Sequence, residues 1–384
     1  MMDEKLGLYI HWPFCVSKCP YCDFNSHVRD PIDEEQWEKA YVRELDFLGS
    51  QTRGRKLVSV FLGGGTPSLM ASRTVGAILD RLSNYWTLDA SLEITLEANP
   101  NSAEQEKFRA FKSAGINRLS LGVQSLYDSS LKCLGRAHGR HEALRALSMA
   151  RQTFERFSFD LIYARPQQSL REWREELQEA LTYAGSHLSL YQLTLEKGTA
   201  FYTQAQAGRL QLPEEQMAGD FYEITQEIME KAEMPAYEIS NHARAGEESR
   251  HNLIYWRSQD YGALGPGAHG RVFEEGKRWS TKNFRTPERW LRSVQETGNG
   301  LEERVEVSRD EQVIEFLMMG LRLREGISLA RFETLAKQPF ERIFPPEKLL
   351  PLITEKFLVK ESDCLKATRK GQMCLNAVLS HLFS

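Results

Sequence analysis

The chain has 384 residues, of which 49 are Lys or Arg and 53 Asp or Glu, a formal net charge of −4 without a long run of either sign. That length exceeds what one core ordinarily fills, so a large domain with a smaller one appended is expected, and the balanced charge argues against a nucleic-acid partner. The opening MMDEKLGLYIHW holds no apolar targeting region and no apolar run is long enough to span a bilayer, so a cytoplasmic protein is expected, with membrane contact limited to the periphery.

Taken in chain order, apolar β-branched runs at Leu6–Ile10, Leu57–Leu62, Leu92–Ala98, Arg118–Val123, Phe157–Tyr163 and Leu188–Leu195 predict six strands. Between them lie segments with helical spacing: Trp37, Tyr41, Leu45 and Leu48; Val75, Ile78, Leu79 and Leu82; Phe108 and Phe111; Leu144, Leu147 and Met149; Trp173, Leu177 and Leu181. Such β-then-α alternation predicts parallel strands joined by right-handed crossovers, in a partial (β/α) barrel or an open doubly wound sheet. A helical stretch at Phe221–Lys231 and the glycine-rich GALGPGAHG at Gly262–Gly270 are expected to flank the barrel. From about Arg304 onward, the helical pattern of VIEFLMMGLRLREGISL and a final helix near Gly371–Phe383 predict a small helical domain. The expected division is therefore 1–235 for the barrel, 236–303 for the flanking segment and 304–384 for the C-terminal domain.

Three of the six cysteines crowd into YIHWPFCVSKCPYC, directly after the first strand; Cys133, Cys364 and Cys374 stand apart and are expected to be small buried hydrophobes. Disulfides within the crowded set would close tiny loops and gain little chain entropy. Cys15, Cys19 and Cys22 instead offer three thiolates from one loop, one fewer than a four-iron cluster has irons. The spacing resembles that of the radical-SAM superfamily, and the resemblance implies that the amino and carboxylate groups of S-adenosylmethionine chelate the fourth iron. The alternative is a zinc-stabilised binding module in which His11 or His27 completes a Cys₃His set, although structural zinc sites usually join two separated ligand pairs.

The C-terminal ends of barrel strands form one face, where such barrels carry their active sites. Here those ends bring the cysteine loop, Gly63–Pro67 with its three glycines, Glu97, Gln124, Asp160 and Gln192. Glycine backbone can approach a ligand closely, carboxylates accept from ribose hydroxyls, and the planar fork of Arg136 suits a carboxylate.

The strings LYIHWPFCVSKCPYCDF, GGGTPS, LEANP, RLSLGVQS, LGRAH, FDLIY, HNLIYW and GALGPGAHG resemble the family of oxygen-independent coproporphyrinogen oxidase-like proteins over almost the whole chain. The resemblance implies a partial (β/α)6 TIM-like radical-SAM barrel with a small, mainly helical, winged-helix-like C-terminal domain. It implies a 4Fe-4S cluster on Cys15, Cys19 and Cys22, and S-adenosylmethionine contacts at Tyr9, Tyr21, Gly64, Gly65, Thr66, Glu97, Gln124, Arg136 and Asp160. Two branches must be separated. The decarboxylating oxidases resemble C-x-x-x-C-x-x-C-x-C and carry a longer segment before the cysteines, whereas Phe24 stands at the fourth position here and fourteen residues precede Cys15. HNLIYW resembles the haem-chaperone branch, which implies haem as ligand, respiratory haem proteins, membrane-bound ones among them, as recipients, and an electron donor as partner. His251 is then the candidate haem ligand and Tyr255 and Trp256 the candidate porphyrin contacts, with His242 and His269 as rival ligands. One departure stands out: Ala164, Arg165 and Gln167 replace the Gly-Leu-Pro-Gly usual after the FDLIY strand.

Overall fold

The computed structural model describes residues 4–101 and 107–383. Six strands run parallel and pair in sequence order: β1 (Lys5–Trp12), β2 (Lys56–Gly64), β3 (Thr87–Ala98), β4 (Arg118–Gln124), β5 (Arg156–Tyr163) and β6 (His187–Gln192). A doubly wound sheet reverses strand order at a switch point, so this unbroken order selects the barrel-type topology over the doubly wound one. Most residues of β1 and β2 are buried, because helices cover one side and neighbouring side chains the other, and that is why these strands read as continuous apolar runs.

The crossovers are α1 (Glu34–Gln51), α2 (Ser72–Asp80), α3 (Phe108–Ser113), α4 (Asp128–Cys133), α5 (Arg140–Thr153) and α6 (Leu170–Tyr183), followed by α7 (Ala200–Gln206) and α8 (Glu215–Lys231). Helix α1 starts where the Asp33 carboxylate accepts the Gln36 N–H, and it buries Trp37, Tyr41 and Leu45 at the expected spacing of four.

The sheet extends beyond the six expected strands. On one edge β7 (Asn241–Ala243) pairs antiparallel with β6. After α9 (Arg250–Trp256), β8 (Tyr261–Leu264) inserts parallel to β1, and β9 (His269–Glu274), β10 (Lys277–Asn283) and β11 (Leu301–Glu306) continue antiparallel, with α10 (Pro287–Thr297) before the last. The sheet therefore has eleven strands and does not close between β7 and β11. The glycine-rich segment expected merely to flank the barrel supplies β8, the second neighbour of β1.

The C-terminal segment has its own core, including Phe316, Leu317, Phe332, Phe340, Leu365 and Val378. Its single long helical pattern is divided: a helix at Arg309–Gly320, a turn through Gly326 at φ 73°, a short strand at Ile327–Ser328 and a new helix at Leu329–Ala336. A Cβ on Gly320 would meet the Ile327 side chain at 2.2 Å, so close packing of the two pieces explains the break. A three-stranded antiparallel sheet accompanies the helices, and the final helical pattern is split at Cys374 into Arg369–Met373 and Leu375–Phe383. The outlying cysteines are not a buried set: Cys133 is exposed, and Cys364 and Cys374 are half-buried.

One buried carboxylate ties α1 to the added strands. Glu44 accepts from the Gly265 and Gly300 N–H groups at 2.8 Å, from Asn283 Nδ2 at 2.9 Å and from Trp290 Nε1 at 3.0 Å. Replacing Glu44 by Ala leaves four buried donors without an acceptor. A loss of about 3–5 kcal/mol is expected, read as a lower urea midpoint, because buried donors left unpaired and broken buried charge contacts cost that much.

Candidate functional site

The cysteine loop leaves the end of β1 and is held on both flanks. Gly65 N–H donates to Trp12 O at 2.7 Å and Thr66 N–H to Phe14 O at 2.8 Å, while His27 N–H donates to Pro13 O at 2.7 Å. Asn25 Nδ2 donates to Pro266 O and Arg285 O at 3.0 and 2.9 Å, and Asn25 O meets His11 Nε2 at 2.9 Å. The glycines after β2 serve this packing. Gly64 holds φ 113°, and a Cβ there would strike the His11 ring at 2.6 Å; one on Gly65 would strike Phe14 O at 2.7 Å.

A cavity enclosing about 720 Å³, counting its open mouth, brings together Cys15, Cys19, Cys22, Tyr21, Gly64, Gly65, Thr66, Glu97, Gln124, Arg136 and Asp160. Five parallel strands thus deliver their ends to one place, as barrel geometry requires. Gln192, from β6, is exposed and lies outside the lining. Tyr9 faces the neighbouring pocket described below.

A hydrogen-bonded chain orders the wall. Arg136 donates to Gly122 O at 2.8 Å, to Asn99 Oδ1, and at 3.4 Å to both Cys19 Sγ and Tyr21 Oη. Asn99 Nδ2 donates to Thr66 Oγ1 at 3.1 Å, and Thr66 Oγ1 donates to Cys15 Sγ at 3.4 Å. Asn99 is the wall residue that the sequence argument overlooked, although it sits inside the LEANP string.

Burial pushes the Cys15 and Cys22 thiols up, opposed by the Thr66 hydroxyl and the Phe24 amide respectively, so ligation there is coupled to proton release. Burial also raises the Glu97 carboxyl to about 8, helped by the charge of Asp160 and opposed by the Gly64 N–H at 3.2 Å. Asp160 rises to about 6 for the same reason, with Ser189 lowering it by a hydrogen bond. Gln124 adopts φ 69°, a strained conformation for this residue, and its Oε1 is buried without a partner, as is Arg136 Nε. Unsatisfied polar atoms on a cavity wall are what a polar ligand would satisfy.

The donor set fits a cluster better than a single ion. Three thiols, Cys15, Cys19 and Cys22, line the cavity, which suits ligation of separate irons in a cubane. The two histidines of the zinc alternative differ in how their rings are engaged. His11 has both ring nitrogens engaged, by Tyr9 Oη and Asn25 O at 2.9 Å each, and the His27 ring meets Asn25 Oδ1 at 3.2 Å.

A second pocket of about 770 Å³, again counting its mouth, adjoins the first and shares Phe24, Gly64 and Glu97 with it; Tyr9, His11, Asn25, Tyr255, Tyr261, Gly267 and His269 complete its lining. Aromatic side chains beside an open mouth offer apolar surface to a ligand, with the Tyr255 and Tyr261 rings edge to face, 4.5 Å between centroids. Phe24, at the place of the oxidase branch's fourth cysteine, is 59% exposed.

HNLIYW forms α9 and divides its residues among three settings. His251 is 1% exposed beneath Tyr255, its Nδ1 at 2.9 Å from Ser59 Oγ and its Nε2 at the Tyr255 hydroxyl, with the Phe61 ring stacked at 5.1 Å. Tyr255 reaches the second pocket. Trp256, one residue on, is turned about 100° around the helix and lies under the Arg322 guanidinium, 4.5 Å from its ring centroid, against the C-terminal segment. Of the rivals, His242 is fully buried and meets Gln226 Nε2 at 3.3 Å, while His269 is exposed on the second pocket.

After β5, Ala164 and Gln167 do hold the left-handed φ values, 54° and 61°, that glycine would relieve. Arg165 is buried and pairs with Glu176, which also accepts the Leu126 N–H at 2.8 Å. The departure thus exchanges turn comfort for a buried ion pair beside the β4 end.

Comparison with known proteins agrees with this geometry. Residues 9–180 match the model of the Radical SAM superfamily, and residues 307–374 match the HemN C-terminal domain. The chain is 39% identical to the mitochondrial radical S-adenosyl methionine domain-containing protein 1 of Mus musculus, over 98% of this chain and 87% of that protein. It is 36% identical to the heme chaperone HemW of Escherichia coli over 97% of each. The coproporphyrinogen III oxidase HemN of Escherichia coli, a radical SAM enzyme, shares the fold with a TM-score of 0.83 over 98% of this chain and 90% of that one, at 21% identity.

The buried Glu97 carboxyl gives a pH test of the wall. Its folded value near 8 lies above the ordinary 4.5. Keeping it neutral therefore favours folding fully below about pH 4.5, and this contribution is lost as pH rises toward 8. In the ligand-free protein, the melting temperature of Glu97→Gln minus that of the wild type is expected to increase between pH 5 and pH 8; a difference that stays constant would show that Glu97 is not held neutral.

Proposed function

The chain belongs to the radical SAM superfamily, in the group that holds heme chaperone HemW and the mitochondrial radical S-adenosyl methionine domain-containing proteins, and from that premise we propose that it is a haem chaperone. It binds a 4Fe-4S cluster and S-adenosylmethionine, accepts haem, and passes the haem to a respiratory haem protein. The observation that carries this reading is the pocket lined by Tyr9, Phe24, Tyr255 and Tyr261, which shares Phe24, Gly64 and Glu97 with the cysteine-lined cavity and so sets an aromatic-lined space beside the cluster site.

In this reading Cys15, Cys19 and Cys22 hold three irons, and the Arg136 guanidinium beside Cys19 balances thiolate charge. Arg136 is also the cation available to the methionyl carboxylate, Gly64 and Gly65 offer backbone to its amino group, Glu97 and Asp160 accept the ribose hydroxyls, and Thr66, Gln124, Tyr9 and Tyr21 complete the contacts. Bound there and given an electron, the cofactor supplies reductive cleavage of its sulfonium. An external one-electron donor serves as partner. No helix among the described residues is long and apolar enough to cross a membrane. In this reading the protein works from the cytoplasm and reaches a membrane-bound recipient by peripheral contact.

The competing function is decarboxylation of coproporphyrinogen propionates, against which stands Phe24 at the fourth cysteine position. Two experiments separate them. Anaerobic protein with reconstituted cluster, S-adenosylmethionine, reductant and coproporphyrinogen III is expected to give no decarboxylated porphyrin by mass spectrometry. The same protein loaded with haem is expected to transfer it to an apo haem protein, followed by the acceptor's absorbance; catalytic decarboxylation without transfer would reverse the assignment. Cys19→Ala is expected to abolish iron and labile sulfide retention after reconstitution while leaving the far-ultraviolet circular dichroism unchanged.

A further inference from the structure

Two histidines, His11 and His269, line the second pocket and a third, His251, lies behind its Tyr255, and the structure distinguishes them by what their ring nitrogens already do. His11 is engaged on both nitrogens, by Tyr9 Oη and Asn25 O. His251 is sealed behind Tyr255 and engaged on both nitrogens, by Ser59 and Tyr255; freeing one would leave a buried hydroxyl without its partner. His269, at the start of β9, is exposed, lines the pocket, and among the described residues its ring has no hydrogen-bond partner.

The surroundings of His269 complete a recognisable set. Phe24, Tyr255 and Tyr261 line the same pocket and offer flat apolar surface. Of the cations around His269, Arg271 is paired with Glu315 and Lys282 with Glu302 and Glu303, whereas the Arg285 side chain is exposed and makes no ion pair or hydrogen bond among the described residues. Its guanidinium matches a propionate carboxylate. Partial burial of the ring and, after it, these cations hold the imidazole below its ordinary pKa, with Glu303 opposing, which favours the neutral form that binds metal.

We propose that His269, not His251, supplies the imidazole that ligates the iron of haem seated against Phe24, Tyr255 and Tyr261, with Arg285 facing a propionate. The inference rests on the haem-chaperone reading and assigns the atoms of that site. His251 instead acts as a positioning residue, fixing the Tyr255 ring from beneath through its hydrogen bond.

Haem is titrated into the full chain with reconstituted cluster, and binding is followed by the Soret band and by resonance Raman of the haem axial ligand. Wild-type protein is expected to show histidine ligation. His269→Ala is expected to lose that signature and at least about tenfold in affinity, a loss of ~1.4 kcal/mol or more, and free imidazole is expected to restore the signature, which also shows that the variant is folded. His251→Gln, whose amide can still bond Ser59 and Tyr255, is expected to keep histidine ligation. A His269→Ala protein with wild-type ligation, or loss of ligation in His251→Gln alone, overturns the assignment while leaving haem binding intact. Wild-type protein that takes up no haem at all overturns the chaperone reading and this assignment with it.

Discussion

Strand β1 carries the constraint on which the site depends. It is bonded in parallel on both sides, to β2 and to β8, and the chain beyond it must therefore leave the sheet at a fixed point and direction. Everything that follows is tied to that exit: the Gly65 and Thr66 amides bond back to Trp12 and Phe14, and Asn25 fastens the far side of the cysteine loop to Pro266 and Arg285. The three thiols of that loop therefore line one cavity.

The same exit point sets the two pockets side by side. Phe24 follows Cys22 by two residues and borders both, while Glu97 and Gly64 stand in the wall between them. A cysteine at Phe24 would place a thiol in that shared wall; the phenyl ring instead leaves an apolar face. The difference between one family branch and the other is thus concentrated at a boundary where cofactor and porphyrin would meet.

The barrel and its cavity were legible because parallel strands buried on both faces leave uninterrupted apolar runs, and because strand ends must converge. Leu57–Leu62 and Phe157–Tyr163 fall inside the observed β2 and β5 for that reason. Strands β9 to β11 were not legible. Five of the six residues of β11 are exposed, and side-chain pairs such as Lys282 with Glu302 and Lys277 with Glu306 support it, so it carries no apolar signature. The break at Gly320–Gly326 escaped periodicity because its signals are glycines rather than spacing: Gly326 turns at φ 73°, and Gly320 leaves room for the Ile327 side chain. HNLIYW is compact in sequence, but successive helical positions diverge, so His251, Tyr255 and Trp256 stand at a buried hydrogen-bond network, a pocket and the C-terminal segment respectively. Which histidine keeps a free nitrogen is decided by tertiary partners that no spacing records.

The central claim is that the cysteine loop presents a cluster with one iron open to the cavity bounded by Glu97, Arg136 and Asp160. The most direct measurement is the electron paramagnetic resonance spectrum of the reduced, reconstituted protein before and after S-adenosylmethionine is added. The account predicts a four-iron cluster signal whose g-values shift on addition, as the open iron gains a ligand. An unchanged spectrum at saturating S-adenosylmethionine, or the absence of a four-iron signal, would contradict it.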